Sequence, residues 1–92
     1  MLKHDNADLL YEAILSLKTK DECRALFQDL CTITEVKAMA QRIEVARLLD
    51  QGLIYNESLE KTGTSSATIS RINRALQYGA DGYRIVLDRL EK

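Results

Sequence analysis

Proline occurs nowhere in this sequence, and glycine occurs at only four positions in 92 residues. Proline breaks helices and glycine weakens them, so a chain with so little of either favours helix along most of its length. Gly52, Gly63 and Gly79 each follow a stretch of helical periodicity, where a helix is expected to end. The sequence therefore predicts an all-α fold, and its length predicts a single domain over residues 1–92.

Apolar residues recur at spacings of three and four, which is the pattern of amphipathic helices. This pattern predicts six helices, at about residues 6–17, 19–31, 33–50, 55–62, 65–77 and 81–90. Polar residues that favour helix N-termini stand just before these stretches. The expected caps are Asp5 or Asn6; Thr19 with Glu22; Thr32 with Glu35, or alternatively Thr34; Ser65 or Thr64; and Asp81.

Several classes of protein are not indicated by the sequence. No apolar run approaches the ~20 residues of a membrane span, and the N-terminus lacks the basic and apolar pattern of a signal peptide, so we expect a cytoplasmic protein without membrane contact. Cys23 and Cys31 are too far apart for a CxxC pair, and His4 is the only histidine, so no metal site is expected. The two thiols are expected to be buried on one helix face. With no catalytic constellation visible, the sequence predicts neither an enzyme nor a cofactor.

The charges are unevenly distributed, although the net charge is only −1. From Lys61 to Ala80 there are three basic residues, Lys61, Arg71 and Arg74, and no acidic residue. A basic patch on an otherwise acidic chain is a weak indication of phosphate binding, and a solvated helix face is the alternative explanation.

A helix-turn-helix at about residues 55–77 is the strongest functional prediction. Gly63 supplies the turn, because glycine adopts positive φ readily, and Leu59 is expected to pack with Ile69 and Ile72 inside the corner. The second helix of this motif, at about residues 65–77, carries small, hydroxyl and basic side chains that suit phosphates and base edges in the major groove. The candidate DNA-binding residues are Thr64, Ser65, Ser66, Ala67, Thr68, Ser70, Arg71 and Arg74.

Other interpretations of this region remain open at the sequence level. A pair of helices joined by a glycine turn is common, so the chain could instead be a helical protein-interaction module with a degenerate helix-turn-helix. Tyr78 and Tyr83 could contact the DNA backbone, but packing of both rings between the last two helices is the favoured prediction. Since a domain of this size buries only roughly 60% of its unfolded surface, dimerisation is expected.

The run Gly63-Thr-Ser-Ser-Ala-Thr-Ile-Ser-Arg71, together with Arg42, Leu49 and Gly52, resembles the Trp repressor family, and the fuller string from Tyr55 to Tyr83 resembles its YerC/YecD branch. The resemblance implies a six-helix protomer, an intertwined homodimer and a bacterial transcriptional repressor. It also implies binding of double-stranded operator DNA by residues 66 to 74.

The same resemblance implies an altered effector pocket. Arg42 and Arg71 would match the two arginines that hold the corepressor tryptophan. The family has glycine after the second arginine, whereas this chain has Ile72, and Ala75 replaces a hydroxyl that helps to hold the amino group. An isoleucine in that space overpacks it, so we expect that tryptophan is not the effector. Any other small-molecule effector is left unidentified by the sequence.

Overall fold

The computed structural model describes residues 7–53 and 55–91, and the side chains of residues 55, 58 and 59 also lie outside this description. The predicted caps Asp5 and Asn6 and the predicted packing of Leu59 therefore fall outside it. The described residues form six helices and confirm the predicted number, order and approximate bounds. The helices are α1 (Ala7–Leu15), α2 (Lys20–Leu30), α3 (Ile33–Asp50), α4 (Tyr55–Thr62), α5 (Ser66–Tyr78) and α6 (Gly82–Leu90).

The chain divides into two compact units, Met1–Val36 and Lys37–Lys92. In the first unit, local capping sets the helix starts. The amide of Glu22 donates to Thr19 Oγ1 (3.0 Å), and the carboxylate of Glu22 accepts from the amide of Lys18 (2.8 Å).

The predicted capping box at the start of α3 is complete. The amide of Glu35 donates to Thr32 Oγ1 (3.1 Å), and the amide of Thr32 donates to Glu35 Oε1 (2.7 Å). Two donors that the helix itself cannot satisfy are thereby satisfied reciprocally. The cap therefore forms on Thr32, and not on Thr34.

The hydrophobic core of the second unit joins α3, α5 and α6. Leu48 on α3 is buried, at 7% exposure, whereas Ile43 on the same helix is 39% exposed. The apolar residues of α3 are distributed around the helix and do not form a single buried face. The core consists of Val45, Ala46, Ile69, Ile72 and Leu87, with Leu49, Leu76 and Tyr83 packed against it.

An ion pair ties the start of α6 to the end of α3. Arg84 Nη1 donates to Asp50 Oδ1 at 2.6 Å, and Asp50 is the more buried partner. The hydrogen bond and the charge of Asp50 raise the pKa of Arg84 above its usual value. The sequence did not predict this pairing. The expected cap Asp81 is also wrong in part, because Asp81 stands at the N-cap position with φ 70° but its side chain makes no capping hydrogen bond.

Two further expectations concern the cysteines and membranes. Cys23 is exposed and Cys31 is half-buried at the end of α2, so the prediction of two buried thiols on one helix face is wrong for this chain. Neither cysteine belongs to a cluster that could hold a metal among the described residues. Within the same residues, every helix is too short or too polar to cross a bilayer.

Candidate nucleic-acid interface

The turn between α4 and α5 depends on the backbone of Gly63. This residue has φ +69°, a left-handed conformation that L side chains rarely adopt. A Cβ at this position would meet no atom within 4 Å, so glycine is required here by backbone conformation and not by lack of space. The amide of Thr64 then donates to Thr62 Oγ1 (3.2 Å) and closes the turn.

Ser65 is the N-cap of α5, which resolves the choice between Ser65 and Thr64. Its hydroxyl accepts from the amide of Thr68 (3.2 Å) and donates to Thr68 Oγ1 (3.0 Å). Two of the hydroxyls expected to face DNA are therefore engaged with each other at the helix start. We interpret their contribution as holding the first turn of α5 in place.

Thr64 does not fit the expected role of a DNA contact. Its side chain is buried, at 6% exposure. Its Oγ1 has no hydrogen-bond partner in the described part of the chain. A hydroxyl buried in this way does not reach a ligand at the surface, because neighbouring side chains cover it.

The outward face of α5 brings the other candidates together. Ser66 and Ala67 are exposed in its first turn, Ser70 is half-buried one turn further, and Arg71 and Arg74 are exposed. The helix carries no acidic residue.

Four arginines of the second unit fall into two groups. Arg47 donates to both carboxylate oxygens of Glu44 at 2.7 Å, which raises its pKa, and Arg84 pairs with Asp50. In contrast, the guanidinium groups of Arg71 and Arg74 form neither an ion pair nor a hydrogen bond with any residue that the structure describes. Glu44 and Asp50 of α3 are thus paired with arginines, while the positive charge of α5 is open to a ligand.

Two shallow depressions flank Arg74 on α5. One, of about 290 Å³, is lined by Arg71, Arg74, Ala75, Tyr78 and Gly79. The other, of about 260 Å³, is lined by Ser70, Asn73, Arg74, Gln77 and Tyr78.

Sequence reasoning missed the amides of Asn73 and Gln77. Their spacing from Ser66 and Ser70, which places all four on one helix face, was the available signal. The preferred prediction for Tyr78 is wrong, because its ring is 81% exposed, whereas Tyr83 packs against the core as expected.

Comparison with known proteins places this chain in a family. The model of the Trp repressor protein family matches residues 5–91. The chain belongs to the Trp repressor family. It is 48% identical over 91 residues to YerC of Bacillus subtilis (strain 168), a protein that is itself uncharacterized, and the match covers 99% of this chain and 88% of YerC.

Solved structures of the Trp repressor family share the fold. A TrpR-like protein from Eubacterium eligens ATCC 27750 is 50% identical with a TM-score of 0.91, and the match covers 98% of this chain and 93% of that protein. A Trp repressor-like protein from Staphylococcus aureus is 42% identical with a TM-score of 0.92, covering 98% of this chain and 90% of that one. The Trp repressor-like fold that the sequence predicted is therefore confirmed.

Of the residues matched to the Trp repressor effector pocket, Arg71 and Ala75 line one depression, whose lining does not include Arg42 or Ile72. Ile72 is 1% exposed and belongs to the core, and Arg42 is half-buried on α3. Arg42 does not line the depression beside Arg71. Ala75 lines both that depression and an apolar one of about 450 Å³, formed with Ile43, Ala80, Gly82, Tyr83 and Val86.

Replacing Thr64 with valine tests its structural role. Valine has nearly the same shape but lacks the unpaired hydroxyl, so we expect Thr64→Val to raise the free energy of unfolding by about 1 kcal/mol. Chemical denaturation would measure the change, and DNA affinity should stay at the parent value. A Thr64→Val protein that folds normally but loses DNA affinity would show that the hydroxyl contacts DNA after all.

Proposed function

We propose that this protein is a sequence-specific, DNA-binding transcriptional repressor. It binds duplex DNA as a homodimer, places α5 in the major groove and does not require tryptophan. Membership of the Trp repressor family supports a DNA-binding regulator. The observation that carries the proposal is the outward face of α5, where two unpaired arginines follow small residues on a helix without acids.

Each part of α5 has a distinct task in this proposal. Ser66 and Ala67 lie in the first turn, where small side chains allow close approach to base edges. Ser70 faces the same groove, whereas Arg71 and Arg74 neutralise phosphates or bond to guanine edges. The capped start of α5 adds backbone N–H groups that favour a phosphate nearby.

The absence of buried residues from the first two helices supports a homodimer. Neither α1 nor α2 contains a buried residue. Isolated helices of 9 and 11 residues are marginal in water, because most helical stability in proteins comes from packing. Apolar side chains that stay exposed in the single chain include Leu9, Tyr11, Leu15, Leu30 and Ile33.

A second copy of the chain suits these apolar side chains, because it would cover apolar surface that the single chain leaves exposed to water. Two copies would also present two α5 helices to successive major grooves about 34–36 Å apart.

Dimerisation predicts that stability depends on protein concentration. The thermal midpoint should rise as the protein is concentrated, because association stabilises the folded state by mass action. Leu15→Ser should lower the dimer fraction in analytical ultracentrifugation. Glu12→Ser introduces serine at an exposed polar position of the same helix and should leave the dimer fraction unchanged. A parent protein of monomeric mass whose midpoint is independent of concentration would contradict the dimer.

Binding of DNA by Arg74 has a specific signature in salt titrations. Arg74→Ala should weaken binding to all duplexes and reduce the slope of log affinity against log salt by about one, because one phosphate contact is lost. Arg89→Ala removes an exposed arginine of α6 and serves as the matched control. Changes at Ser66 or Ser70 should instead alter the preferred site in selection from random duplexes.

The same titrations decide between the two functional classes. Salt-dependent binding of duplex DNA by the parent supports the repressor. Its absence would favour a helical protein-interaction module with a degenerate helix-turn-helix. If the parent binds duplex DNA and Arg74→Ala binds it with the same affinity, Arg74 is not part of the interface, but the proposed DNA-binding function still stands.

The position of Ile72 in the core supports the proposed independence from tryptophan. We expect no heat of tryptophan binding at micromolar concentrations in titration calorimetry, and unchanged DNA affinity when tryptophan is added. The physical reason is that a buried isoleucine occupies the space where the family has glycine. Micromolar binding, or DNA binding that appears only with tryptophan, would refute this expectation.

A further inference from the structure

The second half of α5 carries a polar surface that the roles above leave unused. It surrounds Arg74 and consists of Asn73, Gln77 and Tyr78, which we call the distal patch. With Ser70 and Arg74 these residues line the depression of about 260 Å³.

The distal patch is rich in hydrogen-bond donors and has no internal partners. Asn73 and Gln77 supply amide N–H groups and Tyr78 a phenol O–H, beside the guanidinium of Arg74. Within the described residues, none of these four side chains makes a hydrogen bond or an ion pair. Tyr78 is 81% exposed although its ring is largely apolar. Several donors around one cation, with no acid on the helix, match an anion with several acceptor oxygens.

The length of α5 indicates where such an anion would come from. Gln77 lies eleven residues after Ser66, which corresponds to about 16 Å along a helix axis. The major groove is only about 12 Å wide and 8.5 Å deep. When the first turn of α5 lies at base edges, its second half therefore reaches the rim of the groove, where the phosphates are.

We propose that the distal patch binds a backbone phosphate of duplex DNA at the rim of the groove that α5 enters. Asn73 and Gln77 donate to the phosphate oxygens, Tyr78 covers the adjoining sugar, and Arg74 supplies the charge. This inference rests on the proposed function and adds a second anchoring point to it. The contact fixes the orientation of α5 and carries no sequence information by itself.

The first test uses uncharged substitutions. The probe is a mixed-sequence duplex of about 30 base pairs, which spans three helical turns. Asn73→Ala combined with Gln77→Ala should lower the affinity for this duplex by about tenfold, as expected for lost hydrogen bonds to a charged acceptor. The salt slope should stay unchanged, because no cation is removed. Gln41→Ala combined with Gln51→Ala removes two exposed amides of the same unit and should bind like the parent. Circular dichroism melting establishes that both double variants are folded.

The second test adds a positive charge to the protein and, separately, removes single negative charges from the DNA. Gln77→Arg should steepen the salt slope by about one, whereas Gln51→Arg should not. A duplex with neutral methylphosphonates placed one at a time should reveal a rim phosphate whose neutralisation weakens the parent protein. The same neutralisation should hardly affect the Asn73→Ala, Gln77→Ala double variant.

The outcomes separate this inference from the proposed function. If the parent shows no salt-dependent duplex binding, the proposed function fails and the distal patch fails with it. If the parent binds and Arg74→Ala weakens it, but the double variant binds like the parent, only the distal patch is overturned. The same holds if the double variant and the parent respond alike at every neutralised phosphate.

Discussion

The packing of Ile69 and Ile72 against Val45 and Leu87 is the constraint on which the candidate interface depends. These two isoleucines fix the rotation of α5 about its own axis, because any other rotation would expose them to water. Residues at 66, 70, 73, 74 and 77 then face outward together. Burial of each isoleucine contributes roughly 1.5–3 kcal/mol, so rotating α5 would cost most of what holds this small unit together.

The features that sequence reasoning predicted well are determined by neighbouring residues. The box between Thr32 and Glu35 and the cap of Ser65 on Thr68 join residues three positions apart, and both formed as expected. Gly63 is similar, since its positive φ is a property of a single residue. Helix number and order follow from such signals together with apolar spacing, which is why six helices were predicted correctly.

The errors concern side chains whose surroundings come from distant parts of the chain. The pairing of Asp50 with Arg84, which lies 34 residues away, was not predicted. Thr64 has the same chemistry as the serines that follow it, yet the fold buries it. Tyr78 and Tyr83 look equivalent in sequence, and only the path of the chain around Gly79 separates an exposed ring from a packed one. Residue type and spacing hold no information about such partners.

The core position of Ile72 also bears on how this protein could be regulated. A ligand shifts an equilibrium only by its difference in affinity for the two states. A corepressor can act by ordering the DNA-binding helix only if that helix is mobile in the absence of the ligand. Here Ile69 and Ile72 hold α5 without any ligand, so an effector acting on α5 would have to offset the exposure of both side chains. Association of two chains faces no such cost, because large apolar side chains such as Leu9, Leu15 and Leu30 are already exposed on α1 and α2. For the proposed dimer, control through assembly or protein concentration is therefore favoured over control through a pocket beside α5.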